Sequence, residues 1–294
     1  MQTLRALLRT MRPKQWVKNV VIFAALVFDV KFTQPEPLLR TIAAFVLFCL
    51  VSSAVYLLND LVDIEKDRAH PTKRNRPLAA GTLKPWVAVV AMLALLGVTI
   101  PIAFAMNWAL GLILLGYFIL NVAYSFYLKN VVILDAMTVA AGFVLRVAAG
   151  AVVVEVERFS PWLYVGVTMI ALLIALGKRR AELMALEGEA GNHRAILDDY
   201  TLPFLDQLIG IVTAATIVSY SFYTFSAENL PDNHLMMLTV PFVLYFLFRY
   251  LYLIQVRKKG GSPDELLFKD KPLFVSAVLW GLFAAGVLYF SNHG

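Results

Sequence analysis

The 294 residues are 60% hydrophobic and 16% charged, with one cysteine and a formal charge of +6. A soluble domain is nearer about 45–50% apolar and about 25% charged. An ordinary water-soluble fold is therefore excluded, and the lone Cys49 excludes a disulfide framework. A basic balance would suit nucleic acid in a soluble chain, but in a membrane chain topology accounts for basic residues first, so no nucleic-acid partner is expected.

Residues 1–18 set Arg5, Arg9, Arg12, Lys14 and Lys18 among Leu4, Leu7, Leu8, Met11 and Trp16. That pattern predicts a basic amphipathic helix on the membrane surface rather than a cleaved leader. Residues 19–294 read as a single all-α, multi-pass membrane domain. Apolar runs of roughly 20 residues, each enough to cross a bilayer, recur to the end. They predict helices at 17–31, 37–62, 86–105, 107–127, 132–153, 161–177, 203–226, 235–256 and 272–291, with Pro, Gly or charge at every break.

Charge sets the expected orientation. The N-terminal cations, Lys66 to Lys84, Lys129, Lys178 to Arg194 and Arg257 to Lys271 fall on one side. The other side holds only Lys31, Arg40 and Arg158, among several carboxylates. The positive-inside rule then puts the N-terminus and the long loops 63–85, 178–202 and 257–271 in the cytoplasm, and the C-terminus outside. Chemistry that needs polar loops is expected on the cytoplasmic face.

The second predicted helix ends in Asn59-Asp60-Leu61-Val62-Asp63-Ile64-Glu65-Lys66-Asp67. Spacings of three and four put Asn59, Asp60, Asp63 and Asp67 on one helical stripe. Carboxylates facing one way repel each other, and here they also oppose the helix dipole at a C-terminus. A bound cation removes both penalties. Carboxylates with an amide oxygen suit Mg²⁺, which binds through one or two carboxylates together with substrate phosphates. The basic run Arg68, Lys73, Arg74 and Arg76 follows directly and can take phosphate oxygens.

N-D-x-x-D-x-x-x-D followed by Arg76-Pro77-Leu78-Ala79-Ala80-Gly81 resembles the first signature of the UbiA-type intramembrane prenyltransferases, and the likeness runs over essentially the whole chain. It implies nine helices around a central cavity open to the cytoplasmic side, and Mg²⁺-diphosphate bound on two aspartate-rich motifs. The second motif departs from the family pattern: Tyr124-Ser125-Phe126-Tyr127-Leu128-Lys129 leads to one aspartate, Asp135. This form is similar to the branch that makes decaprenyl-phosphoryl-5-phosphoribose. Arg12-Pro13-Lys14-Gln15-Trp16-Val17-Lys18-Asn19, His70-Pro71-Thr72-Lys73 and Gly177-Lys178-Arg179-Arg180-Ala181-Glu182-Leu183 resemble that branch too.

The resemblance implies a Mg²⁺-dependent transfer of 5-phosphoribose from phosphoribosyl pyrophosphate to a polyprenyl phosphate in a bacterial inner membrane, supplying arabinan for a cell wall. The alternative is prenyl transfer from a prenyl diphosphate to an aromatic or other small acceptor. Asn59, Asp60, Asp63 and Asp67 are the expected metal ligands, and Asp63, Asp67, Asp135 and Lys129 the catalytic set. Substrate contacts are expected from Lys14, Lys18, Asn19, Asn59, Lys73, Arg76, Tyr124, Arg146, Lys178 and Arg179. Arg146 lies about three turns beyond Asp135 on the same helix; an arginine at that depth needs a partner, either a substrate phosphate or a carboxylate within the bundle. Lipid length, metal number and oligomeric state stay open, a homo-oligomer included.

Overall fold

The computed structural model describes residues 2–29, 31–156, 160–186, 195–228, 230, 233–258, 266, 267 and 269–291. Every regular element among them is helical. Eight helices among the described residues are long and apolar enough to cross a membrane. The chain divides into two compact units. Unit 1 is Met1–Val27, Lys31–Val131 and Leu145–Val156; unit 2 is Phe28–Val30, Val132–Val144 and Glu157–Gly294.

Unit 1 begins with α1 (Gln2–Met11). It ends early because Pro13 supplies no backbone N–H, and Arg12 turns the chain in the left-handed region at φ +53°. The expected surface helix over 1–18 is thus shorter. Its apolar face is also already used: Ala6, Leu7 and Met11 pack on Leu57, Leu78 and Leu83, leaving Leu4 and Leu8 exposed.

Pro13–Phe23 is a 3-10 helix of 11 residues that runs into the five-residue α2 (Ala24–Phe28). Runs of 3-10 helix beyond a turn or so are uncommon, because side chains at i and i+3 eclipse. Here the eclipse is put to use. Trp16, Asn19 and Ile22 fall on one edge, where Trp16 donates to Ser53, Asn19 donates to Cys49 and Ser52, and Ile22 is fully buried. At about 2.0 Å per 3-10 residue and about 1.5 Å per α residue, the segment covers roughly 30 Å, the thickness of a hydrocarbon layer. The helical part of the expected span 17–31 is only residues 17–28 of this segment, roughly 21 Å, so it is neither one α-helix nor by itself a full hydrocarbon thickness.

Next come α3 (Pro35–Val62), the short α4 (Ile64–Ala69), α5 (Pro85–Met106) and α6 (Trp108–Phe126). Asn107 caps α6 by accepting from Ala109 N (2.8 Å) and Leu110 N (3.2 Å). The loop before α5 is folded: Leu78 and Leu83 are buried, and Gly81 takes φ +74°, which suits glycine. The helix α7 (Leu134–Val154) gives its first half to unit 2 and its second half to unit 1. Gly150 lets α7 touch the 3-10 helix, since a Cβ there would lie 2.0 Å from the Ile22 carbonyl oxygen.

In unit 2, α8 (Pro161–Leu186) and α9 (Leu202–Ser226) pack along their length. The sequence placed the end of α8 at 177, but it continues for nine more residues. Ala181, Glu182, Leu183 and Met184 are good helix formers, and an Arg179–Glu182 pair at i,i+3 supports the extension. Lys178, Arg179 and Arg180 are therefore helical rather than in a loop. The predicted helix 235–256 is a 3-10 turn (Leu235–Thr239), α10 (Val240–Leu251) and a π-turn (Tyr252–Val256). Arg180 takes up the Ile254 carbonyl of that π-turn at 2.8 Å. The last helix is α11 (Lys271–Ser291).

Candidate active site

The acidic stripe is assembled across a break in the helix. Asp63 closes α3 and precedes α4, yet the i→i−4 hydrogen bonds continue through it, Asp63 N to Asn59 O (3.0 Å) and Asp67 N to Asp63 O (2.8 Å). The spacing of the four residues therefore survives. Asp60 and Asp67 are 2% and 3% exposed, so neither charge is solvated and each needs a partner.

Those partners are basic side chains from three other segments of unit 1. Arg12 donates from Nη2 to Asp60 Oδ1 at 2.5 Å, with its guanidinium carbon 4.9 Å from the centre of the Tyr56 ring. Arg76 Nη1 reaches both Asp60 Oδ1 (3.2 Å) and Asp67 Oδ2 (2.7 Å). Lys129 Nζ, at the foot of α6, pairs with Asp63 Oδ1 at 2.7 Å. Ser125 of α6 donates to the Asn59 amide oxygen. Sequence reasoning missed Arg12 as a partner of the motif, because the left-handed turn that swings it onto Asp60 has no local signature.

The donor set fits a divalent cation of one kind. Asp60 and Asp67 already converge on a single cationic nitrogen, and hard carboxylate oxygens so placed suit Mg²⁺ with substrate phosphates completing its shell. An all-protein cage does not fit: among the described residues no three His, Cys, Asp or Glu side chains gather as a metal site.

Deeper in unit 1, Arg146 is 6% exposed. Its Nε donates to Asn19 Oδ1 (2.6 Å) and its Nη2 to the Tyr117 hydroxyl (2.8 Å). The guanidinium also lies over the rings of Phe48 (5.3 Å) and Tyr117 (4.8 Å). Asn19 is thus the link between Arg146 and α3. Lys14 and Lys73 are exposed, and Lys18 and Tyr124 half-buried. His70 Nδ1 accepts the backbone N–H groups of Thr72 (3.2 Å) and Lys73 (3.3 Å). Partial burial, then the Lys73 charge, lowers the pKa of its imidazole.

Unit 2 holds the other acidic position. Asp135 is fully buried; Arg179 Nε lies 2.5 Å from its Oδ2, and the Tyr200 hydroxyl donates to its Oδ1 at 2.8 Å. Arg179 also meets Glu182. Lys178 is exposed, while Arg180 grips Asp206 through Nε (2.7 Å) and Nη2 (3.3 Å). Lys129, which the sequence sets close to Asp135, belongs instead with Asp63. Tyr200 carried no signal in the sequence, because it lies 65 residues from Asp135.

An all-α membrane fold with an acidic helix end wrapped in basic side chains defines a class. The chain belongs to the UbiA prenyltransferase family, whose sequence model matches residues 20–268. Within that class it is 32% identical over 300 residues to the decaprenyl-phosphate phosphoribosyltransferase of Mycolicibacterium smegmatis, covering 97% of this chain and 93% of the relative. It is 36% identical over 284 residues to the enzyme of that name from Corynebacterium glutamicum, covering 93% and 84%. A UbiA homologue from Archaeoglobus fulgidus, solved bound to GPP and Mg²⁺, shares the fold with a TM-score of 0.75 at 20% identity, over 97% of this chain and 99% of that one.

Proposed function

We propose that this chain transfers 5-phosphoribose from phosphoribosyl pyrophosphate to a polyprenyl phosphate, releasing diphosphate, at the cytoplasmic face of a bacterial inner membrane. The observation that carries the reading is the cation count at the acidic positions. Within unit 1, Asp60, Asp63 and Asp67 are met by Arg12, Arg76 and Lys129, and within unit 2 Asp135 is met by Arg179. A donor with three phosphate groups and an anionic acceptor call for that many cations, and a prenyl donor with a neutral acceptor calls for fewer. The names of the relatives support the same reaction, and the basic loops support a cytoplasmic active face.

Asn59, Asp60, Asp63 and Asp67 would hold Mg²⁺, which supplies charge neutralisation to the departing diphosphate. Arg76 binds phosphate oxygens in the fork geometry that lysine cannot offer. Lys129 neutralises Asp63 in the free enzyme and offers its ammonium to the donor. Arg179, fixed on Asp135, binds a further phosphate. Ribose C1 gains positive character as its bond to the diphosphate breaks, as in glycosyl transfer generally. The acceptor phosphate is already anionic at neutral pH, so it needs aiming and no general base. Attack opposite the diphosphate inverts C1, and a retained configuration would overturn this single displacement.

The test uses purified protein in detergent with Mg²⁺, decaprenyl phosphate and phosphoribosyl pyrophosphate labelled in the ribose. Label should move into the lipid extract. Consumption of a prenyl diphosphate alone, with no transfer of ribose label, would replace this reading with prenyl transfer. Asp63→Asn should abolish turnover with either donor, and normal turnover in that variant would remove the metal from the scheme.

A further inference from the structure

The hydroxyl of Tyr200 makes two buried hydrogen bonds that join different segments of unit 2. It donates to Asp135 Oδ1 (2.8 Å) and accepts the backbone N–H of Ile133 (2.7 Å). Ile133 stands at φ +70°. That is a strained conformation for a β-branched residue, and such strain persists only where surrounding contacts hold it. The strained residue lies two positions before Asp135, and the same hydroxyl holds both. Tyr200 is itself well anchored: it is 3% exposed and packs in one core with Ile196, Leu197 and Leu205. Burial, then the Asp135 carboxylate, pushes its pKa up to about 12, so it remains a donor at any working pH.

We propose that Tyr200 is a positioning residue. Its hydroxyl fixes the Asp135 carboxylate, and Asp135 in turn aims the Arg179 guanidinium at a donor phosphate. The proposal rests on the function given above for the identity of that phosphate. The contact set is a chain of three side chains, Tyr200 to Asp135 Oδ1 and Asp135 Oδ2 to Arg179 Nε. Each carboxylate oxygen has one of them, so loss of the hydroxyl frees the carboxylate to rotate and loosens one of the carboxylates that hold Arg179, Glu182 being another.

The test is donor affinity, measured by calorimetry with phosphoribosyl pyrophosphate and Mg²⁺, on five proteins. Tyr200→Phe should weaken donor binding roughly tenfold, the size expected for one hydrogen bond to a charged group. In an Asp135→Asn background the same change should cost nothing further, because Tyr200 acts through Asp135. Additive losses would overturn the proposal. Tyr200→Phe also unties Ile133 and so threatens folding. Tyr200→Phe with Ile133→Gly relieves the backbone and should recover the melting temperature while donor binding stays weak. Full recovery of donor binding in that double variant would make Tyr200 a brace for the turn alone and would also overturn the proposal. Should the wild type bind only prenyl diphosphate, the proposed function fails, and the same comparisons read on that donor still decide the role of Tyr200.

Discussion

Arg76 sits between two carboxylates that have almost no contact with water, and the proposed function gives it a second role as a phosphate ligand. Arg76→Ala removes both roles. Each charge-assisted hydrogen bond contributes about 1.5–3 kcal/mol, so KM for phosphoribosyl pyrophosphate should rise at least roughly tenfold. Arg76→Lys should recover only part of this, since one ammonium cannot make the forked contact. Steady-state kinetics on the three proteins checks both points. His70 gives a pH dependence with a definite sign. Its folded pKa is lowered, so below the ordinary value of 6.5 the unfolded chain binds the proton and the folded chain resists it. The stability His70 contributes is therefore fully present above pH 6.5 and is lost as pH falls toward the lowered value. His70→Asn keeps an acceptor for Thr72 and Lys73 without titrating. Between pH 7 and pH 5 its melting temperature should fall less than that of the wild type. The acidic stripe and its basic neighbours are legible in the sequence, but their pairing is not. Lys129 stands in the second motif by sequence, yet its ammonium pairs with Asp63, 66 positions away. Arg12 and Tyr200 act through contacts that no local spacing encodes.

Helix boundaries were far more legible. Pro35, Pro85, Pro161 and Lys271 open helices within two residues of the predicted positions, because Pro supplies a preset φ at a helix start and its missing N–H costs nothing there. Two elements were not legible. Leu183 and Met184 extend α8 beyond its charged cluster because Arg179 and Arg180 find carboxylates at Glu182 and Asp206, and so need not mark an end. The 3-10 run from Pro13 to Phe23 mixes Lys14, Gln15, Lys18 and Asn19 with its apolar residues, and only its contacts with α3 separate a period of three from 3.6. Gly150 tests that contact. Gly150→Ala drives a methyl into the Ile22 carbonyl and should destabilise by about 1–3 kcal/mol, the usual cost of overpacking. Gly116→Ala on α6 meets nothing within 4 Å, and its melting temperature should be unchanged or slightly raised, as alanine is the better helix former. Thermal unfolding in detergent compares the two. Equal melting temperatures would mean the two helices do not touch.

For the whole molecule, the single cysteine makes orientation measurable. Cys49 is 2% exposed, so a membrane-impermeant thiol reagent should leave the wild type unlabelled. Gln34→Cys places an exposed thiol just before α3, and Thr72→Cys places one in the loop after α4, beyond the other end of α3. In right-side-out vesicles only Gln34→Cys should react, and in inverted vesicles only Thr72→Cys. The reverse result would put the acidic site outside the cell, away from a soluble phosphoribosyl donor.

The 3-10 segment has a consequence for how this protein can change its length. A helix with three residues per turn advances each side chain by a third of a circle. Deleting one residue between Trp16 and Ile22 therefore turns one end of the Trp16–Asn19–Ile22 edge by that third of a circle, away from Ser53, Cys49 and Ser52. Removing three restores the register and shortens the segment by only about 6 Å. Length variation here should come in threes, a rhythm that an α-helical span of the same composition would not impose.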